Sequence, residues 1–250
     1  MSTRIIFLII LLIFNLAACN QPTPPPEPTP TPDPLLADTA PKPVDLTAAD
    51  GVTLKALYYP PKNPNLRNPA LLLLPMLNSS KEAWQDFAVA AQEAGHAILA
   101  LDLRGQGESG GTQDFGVMDR DVDVAVNWLA ARPEIAGDRI GLAGADLGAN
   151  LALRAGSRHP KVKSVALLSP GLDYKGIKTV EALSAYGQRP VIIVAAEHDT
   201  YAADSARTLN SRALGQHQLQ IYPGSDRGTN LLSAQAGLRP MLLAWFASTL

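Results

Sequence analysis

Residues 141–149 read Gly141-Leu142-Ala143-Gly144-Ala145-Asp146-Leu147-Gly148-Ala149. An apolar run ends here, and an amphipathic stretch begins at Leu147. Gly144 and Gly148 flank the junction at the spacing of a sharp strand-to-helix turn, the G-x-S-x-G elbow that lifts one side chain above a sheet. The central position, where that motif carries a serine nucleophile, holds Asp146. The scaffold is present without its usual reacting group, so the residues around Asp146 decide the function.

Outward from the elbow, apolar runs alternate with helical patterns. Val44–Ala49 and Val52–Tyr59 flank the turn Asp50-Gly51 as a hairpin. Strands are expected at Ala70–Leu77, His96–Leu103, Arg139–Ala143, Val162–Leu168, Pro190–Ala196 and Gln218–Tyr222. Helices are expected at Ser80–Ala94, Val117–Ala131, Leu147–Ser157, Val180–Tyr186, Ala202–Leu214 and Leu231–Leu250. Strands apolar throughout and separated by helices predict an α/β fold. It is a mostly parallel eight-stranded sheet, covered on both faces, with an antiparallel edge. Trp84, Trp128 and Trp245 fall on apolar helix faces and are expected in the core.

Upstream, the chain changes character twice. Residues 1–18 carry Arg4, an apolar run Ile5–Phe14 and small residues before Cys19, the pattern of an export signal. Leu16-Ala17-Ala18-Cys19 resembles the bacterial lipobox, which implies lipidation of Cys19, the single cysteine of the chain. Residues 19–43 hold ten of the 21 prolines and read as an extended tether of roughly 3 Å per residue. The globular domain is expected over 44–250. The expected location is therefore outside the cytoplasm, with a lipid anchor in the outer face of the cytoplasmic membrane or in the outer membrane. A net charge of −2 without a basic run argues against nucleic acid as a partner.

Three further segments stand in order along 44–250. Leu101-Asp102-Leu103-Arg104-Gly105-Gln106-Gly107-Glu108-Ser109 follows the fourth strand, Val191 to Asp199 ends in an acid, and Tyr222-Pro223-Gly224-Ser225-Asp226-Arg227-Gly228-Thr229 follows the last strand. With the elbow they resemble the α/β-hydrolase superfamily, nearest to small dienelactone-hydrolase and serine-aminopeptidase-like bacterial enzymes. The stretch between Leu168 and Pro190 is too short for a cap domain. The resemblance places Asp146, Arg227 and Asp199 at the nucleophile, base and acid positions of a catalytic triad. It places the backbone N–H groups of Met76 or Leu77, and of Leu147, at the oxyanion hole.

Arginine has no lone pair to offer as a base. Arg227 in the histidine's position therefore points to a degenerate triad, in which its guanidinium bridges Asp146 and Asp199. Asp146 also stands where the amino end of the helix from Leu147 favours an anion. Deleting Arg227 from a buried network of that kind costs about 3–5 kcal/mol. The main expectation is a pseudoenzyme, a membrane-anchored domain that binds a small molecule in the elbow pocket or a partner protein. The alternative is an active hydrolase of small ester-like substrates with Asp146 as nucleophile and His198 as base, and a purely structural envelope role is a third reading. Gly105, Gly107 and Gly110-Gly111 lack the dinucleotide-binding spacing, so no cofactor is expected. Asp119, Asp121 and Asp123 read as a solvated helix face rather than a metal site.

Overall fold

A computed structural model describes residues 39–250. The expected export signal, Cys19 and most of the proline-rich segment lie outside the described residues. Eight strands form one sheet: β1 (Lys42–Thr47), β2 (Thr53–Tyr59), β3 (Asn68–Leu74), β4 (Ala97–Leu101), β5 (Ile135–Ala145), β6 (Val162–Leu168), β9 (Val191–Ala196) and β10 (His217–Tyr222). Their spatial order is β1-β2-β4-β3-β5-β6-β9-β10. β1 and β2 pair antiparallel, as do β2 and β4, and every other pairing is parallel. The sheet begins at Lys42, which pairs with Tyr58, so the proline-rich composition runs two residues into the first strand.

Alternation along β3 divides the core. Leu72 and Leu74 pack with Val126, Leu142 and Leu151 on one face, whereas Leu71 and Leu73 pack with Trp84, Phe87 and Phe246 on the other. A strand buried on both faces must be apolar at every position, which is why β3 reads as a leucine run. The first layer is built by α2 (Met118–Ala130), α3 (Leu147–Arg158), α4 (Val180–Tyr186) and α5 (Thr200–Arg212). The second is built by α1 (Gln85–Glu93), the short α6 (Leu231–Ala234) and α7 (Leu238–Thr249). Residues 169–190 between β6 and β9 hold only α4 and a two-stranded ribbon, β7 (Asp173–Tyr174) and β8 (Ile177–Lys178). Among the described residues no helix is long and apolar enough to cross a membrane.

Several expectations need correction. The final helix is broken at 235–237. A continuous helix would place Pro240 in its interior, where the ring clashes with the preceding turn, whereas Pro240 in the first turn of α7 is tolerated. Trp84 and Trp245 are buried, but Trp128 is half-buried, edge-on to Tyr58 and under the Arg132 guanidinium. The acidic stretch is not a solvated face. Asp121 is buried and receives both Nε and Nη2 of Arg104, at 2.5 and 2.6 Å. Asp119 and Asp123 tie α2 to α3 through Arg154, Arg158 and His159.

Candidate functional site

The elbow forms at the C-terminal end of β5. Asp146 adopts φ 53° and ψ −118°, a conformation that L-residues avoid and that persists only where the surroundings enforce it. The enforcement comes from the two glycines. A Cβ on Gly148 would stand 2.4 Å from the Pro75 carbonyl oxygen, and one on Gly144 would stand 2.1 Å from that of Gly148. The Asp146 N–H donates to the Leu168 carbonyl at 2.8 Å, which fixes the turn against β6.

This backbone directs the Asp146 carboxylate away from its own helix. It makes no capping bond to α3, contrary to the expected anchoring at the helix amino end. Arg227 instead donates from Nε at 3.1 Å and from Nη2 to Oδ1. Oδ2 accepts the Leu77 backbone N–H at 3.4 Å. Of the three expected oxyanion donors, Leu77 is the one that reaches the carboxylate, and Met76 and Leu147 do not. The side chain thus takes up one of the N–H groups expected to serve an oxyanion.

Asp199 lies at the foot of α5, with Oδ2 at 3.8 Å from Arg227 Nε. That oxygen is buried and accepts no hydrogen bond. The predicted bridge is therefore unequal: bonded to Asp146, and a looser electrostatic contact with Asp199. His198 is exposed and forms no bond or ion pair with Asp146 or Asp199. Its backbone N–H holds the Gly224 carbonyl at 2.9 Å, a role in shaping the loop before Arg227.

Two residues of the site were not legible as such in the sequence. Tyr174, on the ribbon over the elbow, accepts a 2.6 Å bond from Arg227 Nη2, with the guanidinium carbon 5.2 Å from its ring centre. Its hydroxyl donates to the Ser169 carbonyl at 3.4 Å, and Ser169 Oγ accepts the Gly228 N–H at 2.8 Å. The sequence signal was the turn Lys175-Gly176. Both residues have positive φ, as a two-residue hairpin turn of primed type requires.

Burial and the neighbouring Asp146 charge push the Tyr174 phenol well above its ordinary range. Burial works against the Arg227 charge, but the Asp146 bond and charge outweigh it and raise its pKa further. The position that needs a proton acceptor near neutrality therefore carries a permanent cation. Among the described residues no group of three or more His, Cys, Asp or Glu is arranged to hold a metal ion.

The segment 101–109 is a brace beneath the site. Asp102 is fully buried and accepts the Lys81 N–H, Lys81 Nζ and the Glu108 N–H at 2.7, 2.8 and 2.9 Å. Arg104 also joins Asp50 of the β1–β2 turn at 2.8 Å. Gln106 is thereby placed under the Asn78 backbone, whose N–H it accepts.

A family model described as alpha/beta hydrolase fold matches residues 69–184, the stretch that holds the elbow. The chain has the α/β-hydrolase fold. A curated relative, Polyketide transferase ATR5 of Stachybotrys chlorohalonatus, is 31% identical over 136 residues, covering 52% of this chain and 45% of that protein. The chain therefore spans less than half the length of that relative. The esterase Pf2001 of Pyrococcus furiosus superposes with a TM-score of 0.73 at 17% identity, over 84% of this chain and 91% of that one. Dienelactone hydrolase from Anabaena variabilis gives 0.70 at 21% identity, over 84% and 98%. At these identities the structural likeness carries the α/β-hydrolase fold and no activity.

Proposed function

We propose that this α/β-hydrolase domain is catalytically impaired and serves as a binding module, held at the cell envelope by a lipid on Cys19. The observation that carries the proposal is the Asp146–Arg227 pair, in which the nucleophile position is neutralised by the residue at the base position. A serine hydrolase cycle needs a base that accepts and returns a proton, and a guanidinium does neither. An aspartate nucleophile would still need a base to activate water against the ester it forms, and the exposed His198 ring forms no hydrogen bond with Asp146 or Asp199. The self-bonded oxyanion donor of Leu77 argues in the same direction.

The test is hydrolysis of p-nitrophenyl acetate by the intact chain and by the Asp146→Ser/Arg227→His double variant, which keeps Asp199 as the third triad member. The expected result is a wild-type rate equal to that in buffer and turnover in the double variant. Wild-type turnover that is lost in Asp146→Asn would overturn the proposal in favour of an Asp146 nucleophile.

A further inference from the structure

The two edges of the sheet are built differently. β1, at one end, carries Lys42, Pro43 and Asp45. Charge and proline are the means by which natural edge strands refuse a further strand. β10, at the other end, reads His217-Gln218-Leu219-Gln220-Ile221-Tyr222, with no proline and no Lys, Arg, Asp or Glu. Its first two residues are exposed and the other four are half-buried.

The pairing with β9 decides which of its backbone groups face outward. The Val191 N–H donates to the Gln216 carbonyl at 3.0 Å, and the Glu197 N–H donates to the Tyr222 carbonyl at 2.8 Å. The parallel register sets His217 against Val191 and Tyr222 against Ala196. Even-numbered residues of β10 therefore turn their backbone groups toward β9. By the alternation of a strand, His217, Leu219 and Ile221 turn theirs away from the sheet. Among the described residues one group meets this outward row: Gln220 Nε2 donates to the Ile221 carbonyl at 3.2 Å. An unpaired row of N–H and C=O groups is a template for another strand.

The strand that fits this row is β10 itself. An antiparallel partner sets outward residues opposite outward residues as hydrogen-bonded pairs. With a second β10 related by a twofold axis at Leu219, the pairs are Leu219 with Leu219, flanked on each side by His217 with Ile221. Gln218 then stands opposite Gln220, amide against amide, and no like charges meet. Sliding the partner by two residues spoils the row. One direction brings in Pro223, which has no N–H, and the other brings in Gly215, outside the strand. β10 is thus complementary to its own reverse in one register.

We infer that β10 is a homodimer interface, in which two copies pair antiparallel about Leu219 into one continuous sheet. No residue of the Asp146–Arg227 site takes part, so the inference stands apart from the loss of catalysis. β10 does lead directly into the loop that carries Arg227, and the dimer sets two such loops on one sheet.

Sedimentation equilibrium of the intact chain in density-matched detergent tests it. A dimer with a dissociation constant of roughly micromolar order is expected. Gln218→Lys/Gln220→Lys sets lysine opposite lysine on both sides of the axis and is expected to weaken the dimer about tenfold or more. Leu219→Cys gives a second readout should that variant fail to fold. In a hydrogen-bonded antiparallel pair the two Cα atoms lie about 5.5 Å apart, a distance that a disulfide spans. Mild oxidation is expected to cross-link this variant well beyond the level that Cys19 gives in the wild type. A wild-type monomer at about 100 μM, unweakened dimerisation of the folded double-lysine variant, or no cross-link above the Cys19 level overturns the interface.

Discussion

Asp146 and Arg227 lie 81 residues apart in the chain and meet at a single carboxylate oxygen, to which both Nε and Nη2 of the guanidinium donate. The second oxygen of the same carboxylate is held by the Leu77 N–H. Every strong contact of the elbow side chain is therefore made within the protein. The pair is unevenly buried, with the Asp146 side chain 11% and the Arg227 side chain 42% exposed. Water reaches the cation and weakens the attraction, so the cost of breaking the pair falls below that of a fully buried network.

Arg227→Ala is accordingly expected to lower stability by about 1–3 kcal/mol, less than a buried network would lose. A double-mutant cycle with Asp146→Asn, followed by denaturant unfolding, measures the coupling directly. Additive losses would show that the two residues do not act as a pair.

Much of this arrangement was legible before any coordinates. The leucine run of β3, the Asp50-Gly51 turn and the Gly144–Gly148 spacing each report a local constraint, and each stands where expected. The Asp146–Arg227 encounter was legible because two substitutions fell at positions the motif order brings together. Tyr174 was not, since nothing in the sequence says that the short ribbon of β7 and β8 folds back over the elbow. Asp121 was misread because a carboxylate on an acidic helix turn looks solvated until Arg104, from another loop, is placed against it.

Gly148→Ala is expected to cost at least about 2 kcal/mol, because the added methyl meets the carbonyl oxygens of Pro75 and Leu74 at 2.4 and 2.5 Å. Those are backbone atoms and cannot swing aside. A drop in melting temperature with the fold retained by circular dichroism is the expected signature. An unchanged melting temperature would mean that the elbow relaxes freely.

His96 is 3% exposed, with Nδ1 3.3 Å from the Ala91 carbonyl and Nε2 unpartnered. Burial, aided slightly against the charge by Arg139, holds its pKa below the ordinary 6.5. The unfolded chain therefore takes up a proton near pH 6.5 that the folded state refuses until lower pH. Stability falls as pH drops below 6.5, by up to about 1.4 kcal/mol per pH unit from this group. His96→Leu is expected to flatten that part of the stability profile. An identical slope in the variant would assign the effect to other groups.

Cys19→Ser is expected to abolish incorporation of labelled fatty acid and to move the chain from the membrane fraction to the soluble fraction. Labelling that persists in the variant would place the lipid elsewhere.

The carbonyls packed around Gly144 and Gly148 prescribe a path for the main chain and say nothing about what hangs from its apex. A search keyed to those glycines counts this chain among the hydrolases, yet the contact they report is between a helix and its neighbouring strand. The apex is free to exchange a reactive group for an inert one while the turn beneath it stays fixed. In such a fold the signature spacing reports the turn, and what the site can do is read from the apex side chain and from the loop eighty residues downstream.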